Sequence, residues 1–392
     1  MQAQSNKPKI GIISLVPDTW NGPWRSRHQI LPRLGEQFEV LWMEEARGWR
    51  EIFLSSRIKN NCSGFTARIR KGFSIYKPES WLPLVYTPKI LGRFFARTRL
   101  ERAKNYLLKL GCTKIVLDLW RPDQAYALDL LTHDFSCYHI VDEYSFSEVE
   151  HPVDANEEKL ISRVDQVFIS SQMLMEKKGH INPNTLLIPN GVHYQAFIQL
   201  YKEPEDLQKI PHPRIGYVGI LKKQMDFSLL IQLAKARLDW SFVLVGPKGA
   251  LGNAEELLNT LSALPNVFML GGKAIEALPA YVQGLDVSLL SYRVTDYSKY
   301  INPLKLHEYL AVGHPVIGPP IPPLKNFAHV IQIANTLDEW VSAVEIGLSP
   351  SESTSEKIAA RRQEAKKFDW NVLSDSVASA IQSGLAKKAS SP

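Results

Sequence analysis

Hydrophobic and polar positions follow two patterns that alternate along the chain. Short, nearly continuous apolar runs are followed by longer segments in which apolar residues recur three and four positions apart. The first pattern predicts strands buried on both faces of a parallel sheet, and the second predicts amphipathic helices. The first six predicted strands are KIGIISLV (9–16), FEVLWMEE (38–45), CTKIVLDLW (112–120), CYHIVDEYS (137–145), QVFISS (166–171) and TLLIPNG (185–191).

The same alternation begins again after a polar, proline-containing stretch, QLYKEPEDLQKIPHP (199–213), which predicts an interdomain linker. The second series of predicted strands is RIGYVGI (214–220), SFVLVGP (241–247), NVFMLGG (266–272), VSLLSY (287–292) and PVIGP (315–319). We therefore predict an α/β protein with two Rossmann-like domains, residues 1–198 and 199–370, followed by a helical tail with a break near 368–370. A ligand is expected in a cleft at the carboxyl ends of the strands.

Chain length fits a protein of two domains, and cysteine usage indicates the cellular compartment. A chain of 392 residues exceeds what one hydrophobic core usually supports. Its three cysteines, Cys62, Cys112 and Cys137, have neither CxxC nor Cys/His metal spacing, which is typical of a reducing compartment. The N-terminus leads from polar residues directly into a predicted strand, and no run approaches the ~18 apolar residues of a membrane span. We expect a cytoplasmic protein.

Positive charge is concentrated in one part of the chain. Residues 47–104 contain fourteen Lys/Arg and three Asp/Glu, a balance of 14 − 3 = +11, so the remainder carries 6 − 11 = −5 of the total net charge of +6. Nine Trp, Tyr and Phe residues are interleaved with these cations. This combination favours an anionic membrane surface as a partner, and the alternative is a solvated basic face over an ordinary core. No nucleic acid is expected, because no RNP, helix-turn-helix or zinc-finger pattern is present.

The segment INPLKLHEYLAVGHPVI (301–317) contains the most informative helix. Asn302 fits the N-cap position, Pro303 fits N1 and Gly313 fits C′, which predicts a helix over 303–312. The amides and the positive dipole end of such a helix attract anions, and Lys305 adds a full charge in the first turn. A diphosphate is the expected ligand.

A carboxylate one turn further along the same helix suggests a second contact. Lys305 and Glu308 share a face, whereas Leu306 and Leu310 point toward the other side and are expected to pack inward. A carboxylate is well suited to accept hydrogen bonds from a pair of ribose hydroxyls. The alternative is that Lys305 and Glu308 form a surface ion pair.

Taken together, several segments resemble bacterial GT-B glycosyltransferases, especially those of polysaccharide and teichuronic acid assembly. PLKLHEYLAVGHPVI resembles their nucleotide-sugar signature, and the other matching segments are LLIPNGVHYQAF (186–197), RIGYVGIL (214–221), NVFMLGGKAIEALPAYVQGLDVSLLSY (266–292) and FDW (368–370). The resemblance extends from about residue 137 onward. It implies the GT-B fold, a C-terminal helix (371–392) that returns to the N-domain, and a nucleotide-sugar donor, expected to be UDP-linked.

The resemblance also implies a set of donor-binding residues. Lys305 would bind the diphosphate and Glu308 the ribose, while Gly219 would let the backbone approach the phosphates. The complete set is Gly219, Leu270, Gly271, Gly272, Lys273, Tyr292, Asn302, Pro303, Leu304, Lys305 and Glu308. Within it, Leu270 to Lys273 would line the base pocket and Tyr292 would lie beside the donor. The alternatives are a tight strand-to-helix turn at Gly219 and an aromatic residue that only ends a strand at Tyr292.

One departure from the family pattern affects the chemistry. Many retaining members carry Glu-x7-Glu, but Tyr300 occupies the position eight residues before Glu308, so the stereochemical outcome does not carry over. No Asp-x-Asp occurs in the chain, which fits an enzyme that stabilises the leaving diphosphate with a helix dipole and cationic side chains. We therefore expect neither a metal nor a cofactor.

An inverting transfer requires a base near the acceptor hydroxyl. Asp142 is the first candidate catalytic residue, with Glu143 beside it, and the alternative is that Asp142 caps the following turn. His28 is the second candidate, and the alternative is a histidine on a helix face. Arg25 and Arg27 would meet an anionic acceptor or the donor phosphates, unless they form a solvated pair.

We thus predict a glycosyltransferase that acts on a lipid-linked or polysaccharide acceptor in cell-envelope glycan synthesis, peripheral at the inner face of the membrane. Three alternatives are a nucleotide-sugar 2-epimerase on the same fold, a non-catalytic scaffold that binds nucleotide sugar or membrane, and a basic membrane-surface adaptor. The sequence contains no GxSxG, GxxxxGK[ST], HExxH or GxGxxG. A dehydrogenase on a Rossmann-like fold would therefore lack its phosphate fingerprint.

Overall fold

The computed structural model describes residues 8–49, 51–52, 65–145 and 151–390. They form two compact units, one comprising 1–189 and 371–392 and the other 190–370. This boundary lies before the predicted one at 198/199 because the intervening segment packs into the second unit. There the Val192 N–H donates to the Phe368 carbonyl at 2.9 Å, and the Phe197 side chain joins the core.

The first unit is built on an eight-stranded sheet with the order β3-β4-β2-β1-β5-β6-β7-β8. Its strands are β1 (Ile10–Val16), β2 (Glu39–Glu44), β3 (Phe65–Arg70), β4 (Phe73–Lys77), β5 (Lys114–Leu119), β6 (Phe135–Ile140), β7 (Gln166–Ile169) and β8 (Thr185–Leu187). Neighbouring strands pair in parallel, except that β3 is antiparallel to β4.

The first unit also contains helices that alternate with these strands. They are α1 (Ser26–Leu34), α2 (Lys89–Lys109), α3 (Tyr126–Leu130), α4 (Ala155–Arg163) and α5 (Gln172–Lys178). The β3–β4 hairpin was not predicted, because β3 lies at the sheet edge and exposes Arg68, Ile69 and Arg70, so its sequence lacks a clear apolar run.

The second unit has a six-stranded parallel sheet with the order β11-β10-β9-β12-β13-β14. Its strands are β9 (Arg214–Val218), β10 (Ser241–Val245), β11 (Val267–Gly271), β12 (Val287–Leu289), β13 (Val316–Gly318) and β14 (Gln332–Ile333). Its helices are α6 (Tyr194–Ile198), α7 (Glu205–Gln208), α8 (Phe227–Ala236), α9 (Glu255–Ser262), α10 (Leu278–Gln283), α11 (Leu304–Val312), α12 (Pro322–Lys325), α13 (Leu337–Leu348) and α14 (Ser355–Lys366). The segment predicted as linker thus includes α7.

Two hydrophobic clusters cover the faces of this second sheet. Residues of α8, α9 and α13 pack on one face, where Phe227, Leu258 and Trp340 are buried. Residues of α10 and α11 pack on the other, where Tyr281 and Leu306 are buried. Helices on both faces explain why the strands are apolar throughout instead of alternating. The predicted α/β architecture with two largely parallel sheets is therefore confirmed.

The last helix, α15 (Trp370–Ser390), follows a break after α14, as the sequence predicted. Beyond Trp370 it packs in the first unit, where Arg33 Nε donates to Asn371 Oδ1 at 2.8 Å and Lys388 Nζ lies 2.8 Å from Asp165 Oδ1. No helix within the described residues is both long enough and apolar enough to cross a bilayer.

Candidate functional site

Helix α11 is buried along almost its whole length. Leu306 and Leu310 pack inward as predicted, and Gly313 ends the helix with φ 95°, the left-handed conformation that its C′ position requires. The start differs from the prediction. The helix begins at Leu304 with Pro303 as N-cap, and the Asn302 carbonyl accepts a hydrogen bond from Asn190 Nδ2 at 2.8 Å. Asn302 is therefore part of a loop-to-loop contact and does not cap α11.

Lys305 and Glu308 form an ion pair, with Nζ 2.9 Å from Oε2. The pair is not on the open surface, because the side chains are only 18% and 11% exposed. Charges removed from water in this way need partners, which the two residues provide for each other. Lys305 also lies in the first turn of α11, where the helix dipole favours an anion. An incoming phosphate would therefore be shared by Lys305 and the helix end.

Gly219 lies directly against Lys305, at the carboxyl end of β9. A Cβ atom at Gly219 would lie 2.9 Å from Lys305 Cε and 2.7 Å from the Tyr217 hydroxyl oxygen. Gly246, at the end of neighbouring β10, has φ 154°, and a Cβ there would lie 1.9 Å from the Gly219 carbonyl oxygen. Two glycines thus allow the ends of β9 and β10 to come close beside Lys305, where no side chain would fit.

Replacing Gly219 is expected to weaken binding of a nucleotide diphosphate by about tenfold. In Gly219→Ala the new methyl group displaces the Lys305 side chain, whose far end is flexible, and it also forces the buried Tyr217 ring to shift, so some loss of stability is expected as well. Isothermal titration with UDP measures the effect. Gly48→Ala, in the first unit, where nothing lies within 4 Å of the added atom and the backbone is not left-handed, serves as a control for UDP affinity. Equal UDP affinity in Gly219→Ala and the unchanged protein would contradict a phosphate site here.

The segment Leu270 to Lys273 follows β11 at the same edge of the sheet. Gly271 has φ 68° and is exposed, as is Gly272. Lys273 Nζ lies 2.6 Å from Asp206 Oδ2, and the Tyr281 hydroxyl donates to Asp206 Oδ1 at 2.8 Å. Lys273 is thus held by α7 and α10, and it fixes the loop in which the predicted base-binding residues lie.

Tyr292 and Tyr300 approach this region from the segments after β12. Tyr292 is buried, and both its burial and the nearby Glu308 carboxylate raise the pKa of its phenol. The Tyr292 ring is therefore neutral and lies close to Glu308. Tyr300, which stands in place of the missing glutamate, is also buried, and Lys299 Nζ lies 5.1 Å from its ring centroid.

In the first unit, Asp142 follows β6 at a bend. Its Oδ1 accepts a hydrogen bond from the Glu143 N–H at 2.8 Å, the turn-capping contact that was the alternative to catalysis. Glu143 is buried, with Oε1 3.2 Å from Lys178 Nζ. Lys178 is itself fully buried and also contacts Glu157 Oε2 at 2.9 Å. A buried ion-pair network thus fixes the backbone next to Asp142, and Glu143 has a structural role.

His28 is a buried residue of α1. Its side chain is buried among Trp20, Trp24 and Trp42, and burial lowers its pKa. Its Nδ1 accepts from the Arg25 N–H at 3.1 Å, and its Nε2 lies 3.3 Å from the Thr19 carbonyl. Both ring nitrogens are therefore used to hold the loop between β1 and α1, which fits the alternative of a histidine on a helix face, and a catalytic role for His28 stays a prediction.

Arg25 and Arg27 differ in exposure, so the alternative of a solvated pair fits Arg25 alone. Arg27 is buried, forms an ion pair with Asp18 and lies over the Trp120 ring, 5.6 Å from its centroid. Arg25 is exposed, with Nε 3.3 Å from Asp18 Oδ1. Of the two, Arg25 is the side chain that an anionic acceptor can reach.

Three residues that support these sites were missed in the sequence. Gly246 permits the end of β10 to approach Gly219 closely. The sequence VGP at the end of this strand was the available indication of such a glycine. The Tyr309 hydroxyl accepts from the Val218 N–H at 2.9 Å and so joins α11 to the end of β9. The role of Lys178 could not be predicted, because the sequence of α5 does not show which of its lysines is buried.

Throughout the described ranges, no group of three or more His, Cys, Asp or Glu side chains is placed to hold a metal ion.

Sequence comparison finds relatives for part of the chain. Residues 212–345 match the family described as glycosyl transferases group 1. Over 237 residues the chain is 30% identical to the protein named as teichuronic acid biosynthesis glycosyltransferase TuaH of Bacillus subtilis (strain 168), covering 56% of this chain and 57% of that one. The chain thus spans little more than half the length of this relative.

Solved structures resemble almost the entire chain. HepE of Anabaena, in complex with UDP and glucose, matches with a TM-score of 0.66 and 14% identity over 96% of this chain and 100% of that one. Sucrose-phosphate synthase of Thermosynechococcus elongatus matches with a TM-score of 0.69 and 15% identity over 97% and 100%. The resemblance to GT-B glycosyltransferases is therefore confirmed: the chain has the GT-B fold, and its residues 212–345 carry the group 1 glycosyl transferase pattern.

Proposed function

We propose that this chain is a metal-independent glycosyltransferase that transfers a sugar from a UDP-linked donor to a lipid-linked or polysaccharide acceptor of the cell envelope. The observation that carries the proposal is the contact between Gly219 and Lys305, with Glu308 beside them, at the carboxyl ends of the strands of the second unit. The relative named for teichuronic acid biosynthesis and the fold neighbour that binds UDP and glucose support the substrate class.

The donor diphosphate would bind at the start of α11. Lys305 would turn from Glu308 toward the phosphates, and Gly219 would bring the β9 backbone within reach of them. The freed Glu308 carboxylate would accept hydrogen bonds from the ribose hydroxyls. Positive charge at this position stabilises the diphosphate as it leaves, which is the largest contribution a site without a metal can make.

The acceptor hydroxyl would lose its proton to Asp142 in the first unit. Asp142 follows a strand of a rigid sheet, and the buried Lys178 network holds the adjoining backbone. Arg25 would provide positive charge for an anionic acceptor. We place the reaction in the cytoplasm, at an anionic membrane surface that presents the acceptor.

A thermal-shift screen of nucleotides and nucleotide sugars tests the donor assignment. A ligand at 100 times its Kd stabilises the folded state by about 2.7 kcal/mol, which raises Tm by roughly 5–10 °C for a domain of this size. UDP and at least one UDP-sugar are expected to shift Tm, and ADP and GDP are expected to shift it less. Absence of any Tm shift with UDP or UDP-sugars would contradict the proposal. In a separate incubation of the protein with a UDP-sugar and no acceptor, formation of an epimerised donor would favour the 2-epimerase.

A further inference from the structure

We propose that three segments of the first unit, 47–49, 81–86 and 88–97, form one surface that inserts its apolar side chains into an anionic lipid bilayer. We call it the docking surface. The inference rests on the proposed location at a membrane but not on the proposed donor. It narrows the predicted basic segment 47–104 to the part of it that faces outward.

Backbone contacts show that the three segments are continuous. Gly48 and Leu84 form a parallel bridge, in which the Leu84 N–H donates to the Arg47 carbonyl at 2.9 Å. A Cβ atom at Gly92 would lie 2.1 Å from the Val85 carbonyl oxygen, so the first turns of α2 lie directly on the loop. Further along α2, Arg99 donates to the Leu82 carbonyl at 2.8 Å. The loop and the start of the helix are therefore packed together and form a continuous surface.

Large apolar side chains project from this surface. Five of them have high exposed fractions: Ile90 (85%), Tyr86 (77%), Phe94 (61%), Trp81 (60%) and Trp49 (46%). In the second half of the same helix the apolar residues are buried, since Leu100, Ala103 and Leu107 pack into the core. The apolar residues at the start of α2 are thus not part of the core, and so many exposed together indicate an interaction site.

The positive charge of the docking surface indicates an anionic partner. Several cations of the basic segment are held within the protein: Arg68 by Glu39, Arg102 by Glu79, and Arg99 and Lys104 by backbone carbonyls. Four others, Arg47, Lys89, Arg93 and Arg97, are exposed on the docking surface, and its three segments contain no Asp or Glu. Aromatic and aliphatic side chains ringed by cations are complementary to anionic headgroups over an acyl layer.

Vesicle binding of the full chain tests the proposal. The protein is expected to sediment with vesicles of phosphatidylcholine and phosphatidylglycerol and to stay in solution with phosphatidylcholine alone. Both Ile90→Ser/Phe94→Ser and Lys89→Glu/Arg93→Glu are expected to lower the partition coefficient at least about tenfold, because apolar insertion and charge attraction both contribute. The matched controls are Leu200→Ser/Leu238→Ser, which remove exposed leucines of the second unit, and Lys325→Glu/Lys366→Glu.

A fluorescent label locates the inserted residues directly. An environment-sensitive dye on Ile90→Cys is expected to brighten and shift to the blue with anionic vesicles, whereas the same dye on Leu200→Cys is not. Both variants carry Cys62→Ser, because the remaining cysteines, Cys112 and Cys137, are buried. If the dye at position 90 does not respond, or if Ile90→Ser/Phe94→Ser binds vesicles as the unchanged protein does, the proposal is overturned.

Two further readouts separate this proposal from others. Self-association of the unchanged protein that Ile90→Ser/Phe94→Ser abolishes in sedimentation velocity, without vesicle binding, would assign the surface to a second copy and overturn the lipid assignment. The Tm shift with UDP is expected to be the same in Ile90→Ser/Phe94→Ser as in the unchanged protein. A protein that binds vesicles but not UDP would contradict the donor assignment and leave the docking surface supported.

Discussion

Lys305→Ala is expected to lower the rate of sugar transfer from a UDP-sugar by about 10²–10³-fold, the usual effect of removing one group that stabilises developing negative charge. Lys305 is the cation in the first turn of α11, and its Nζ pairs with Glu308 at 2.9 Å, a contact that it would exchange for a phosphate under the proposal. Initial rates of UDP release in the presence of an envelope lipid extract measure the loss. Lys325→Ala, an exposed lysine in α12 of the same unit, is expected to leave the rate unchanged.

The Lys305–Glu308 ion pair offers a second explanation for a loss of activity in Lys305→Ala. In that explanation Lys305 has a structural role, because the Glu308 carboxylate needs a positively charged partner. Removing one partner of a largely buried pair destabilises the fold, whereas removing both charges restores most of the stability. Lys305→Met/Glu308→Gln is therefore expected to recover the Tm lost in Lys305→Met but not to recover UDP affinity. Recovery of both would show that the pair is structural and would contradict the phosphate role.

Asp142→Asn is expected to reduce transfer by about 10²–10⁴-fold while leaving UDP binding intact, because general base catalysis contributes on this scale. The asparagine side-chain oxygen still accepts the hydrogen bond that Asp142 receives from the Glu143 N–H, so the bend after β6 is preserved. Transfer is measured as acceptor-dependent UDP release, and UDP affinity is measured by calorimetry on the same preparation.

Asp154→Asn provides the matched control for Asp142→Asn. Asp154 caps α4 in the same unit through its carboxylate, and asparagine caps helices equally well. A rate within a few-fold of the unchanged protein is expected for this control. The same small effect in Asp142→Asn would exclude Asp142 as the base and favour the turn-capping alternative.

Features set by local pattern could be predicted from the sequence. The apolar runs predicted the two largely parallel sheets. Gly313 was predicted to end α11, because a left-handed residue is favoured at the C′ position of a helix. Leu306 and Leu310 were placed by helical spacing alone. These residues depend on neighbours within a few positions in the chain, which a single sequence contains.

Features set by distant neighbours could not be predicted. Trp42 on β2 completes the aromatic cluster that buries His28, although Trp20 and Trp24 of the same cluster lie nearby in the sequence. The Lys178 network joins α5 to α4 and to the segment after β6. The helix start moved to Leu304, and the Asn302 carbonyl binds Asn190, which lies far away in the sequence.

Transfer of a sugar from a UDP-linked donor can be measured in one assay. The full chain is incubated with a panel of radiolabelled UDP-sugars and envelope lipid extract, and labelled lipid or glycan is measured together with released UDP. A labelled product is expected from at least one donor, with one UDP released per sugar transferred and a strong loss in Lys305→Ala. UDP binding without any labelled product or UDP release from the whole panel would contradict the proposed transfer.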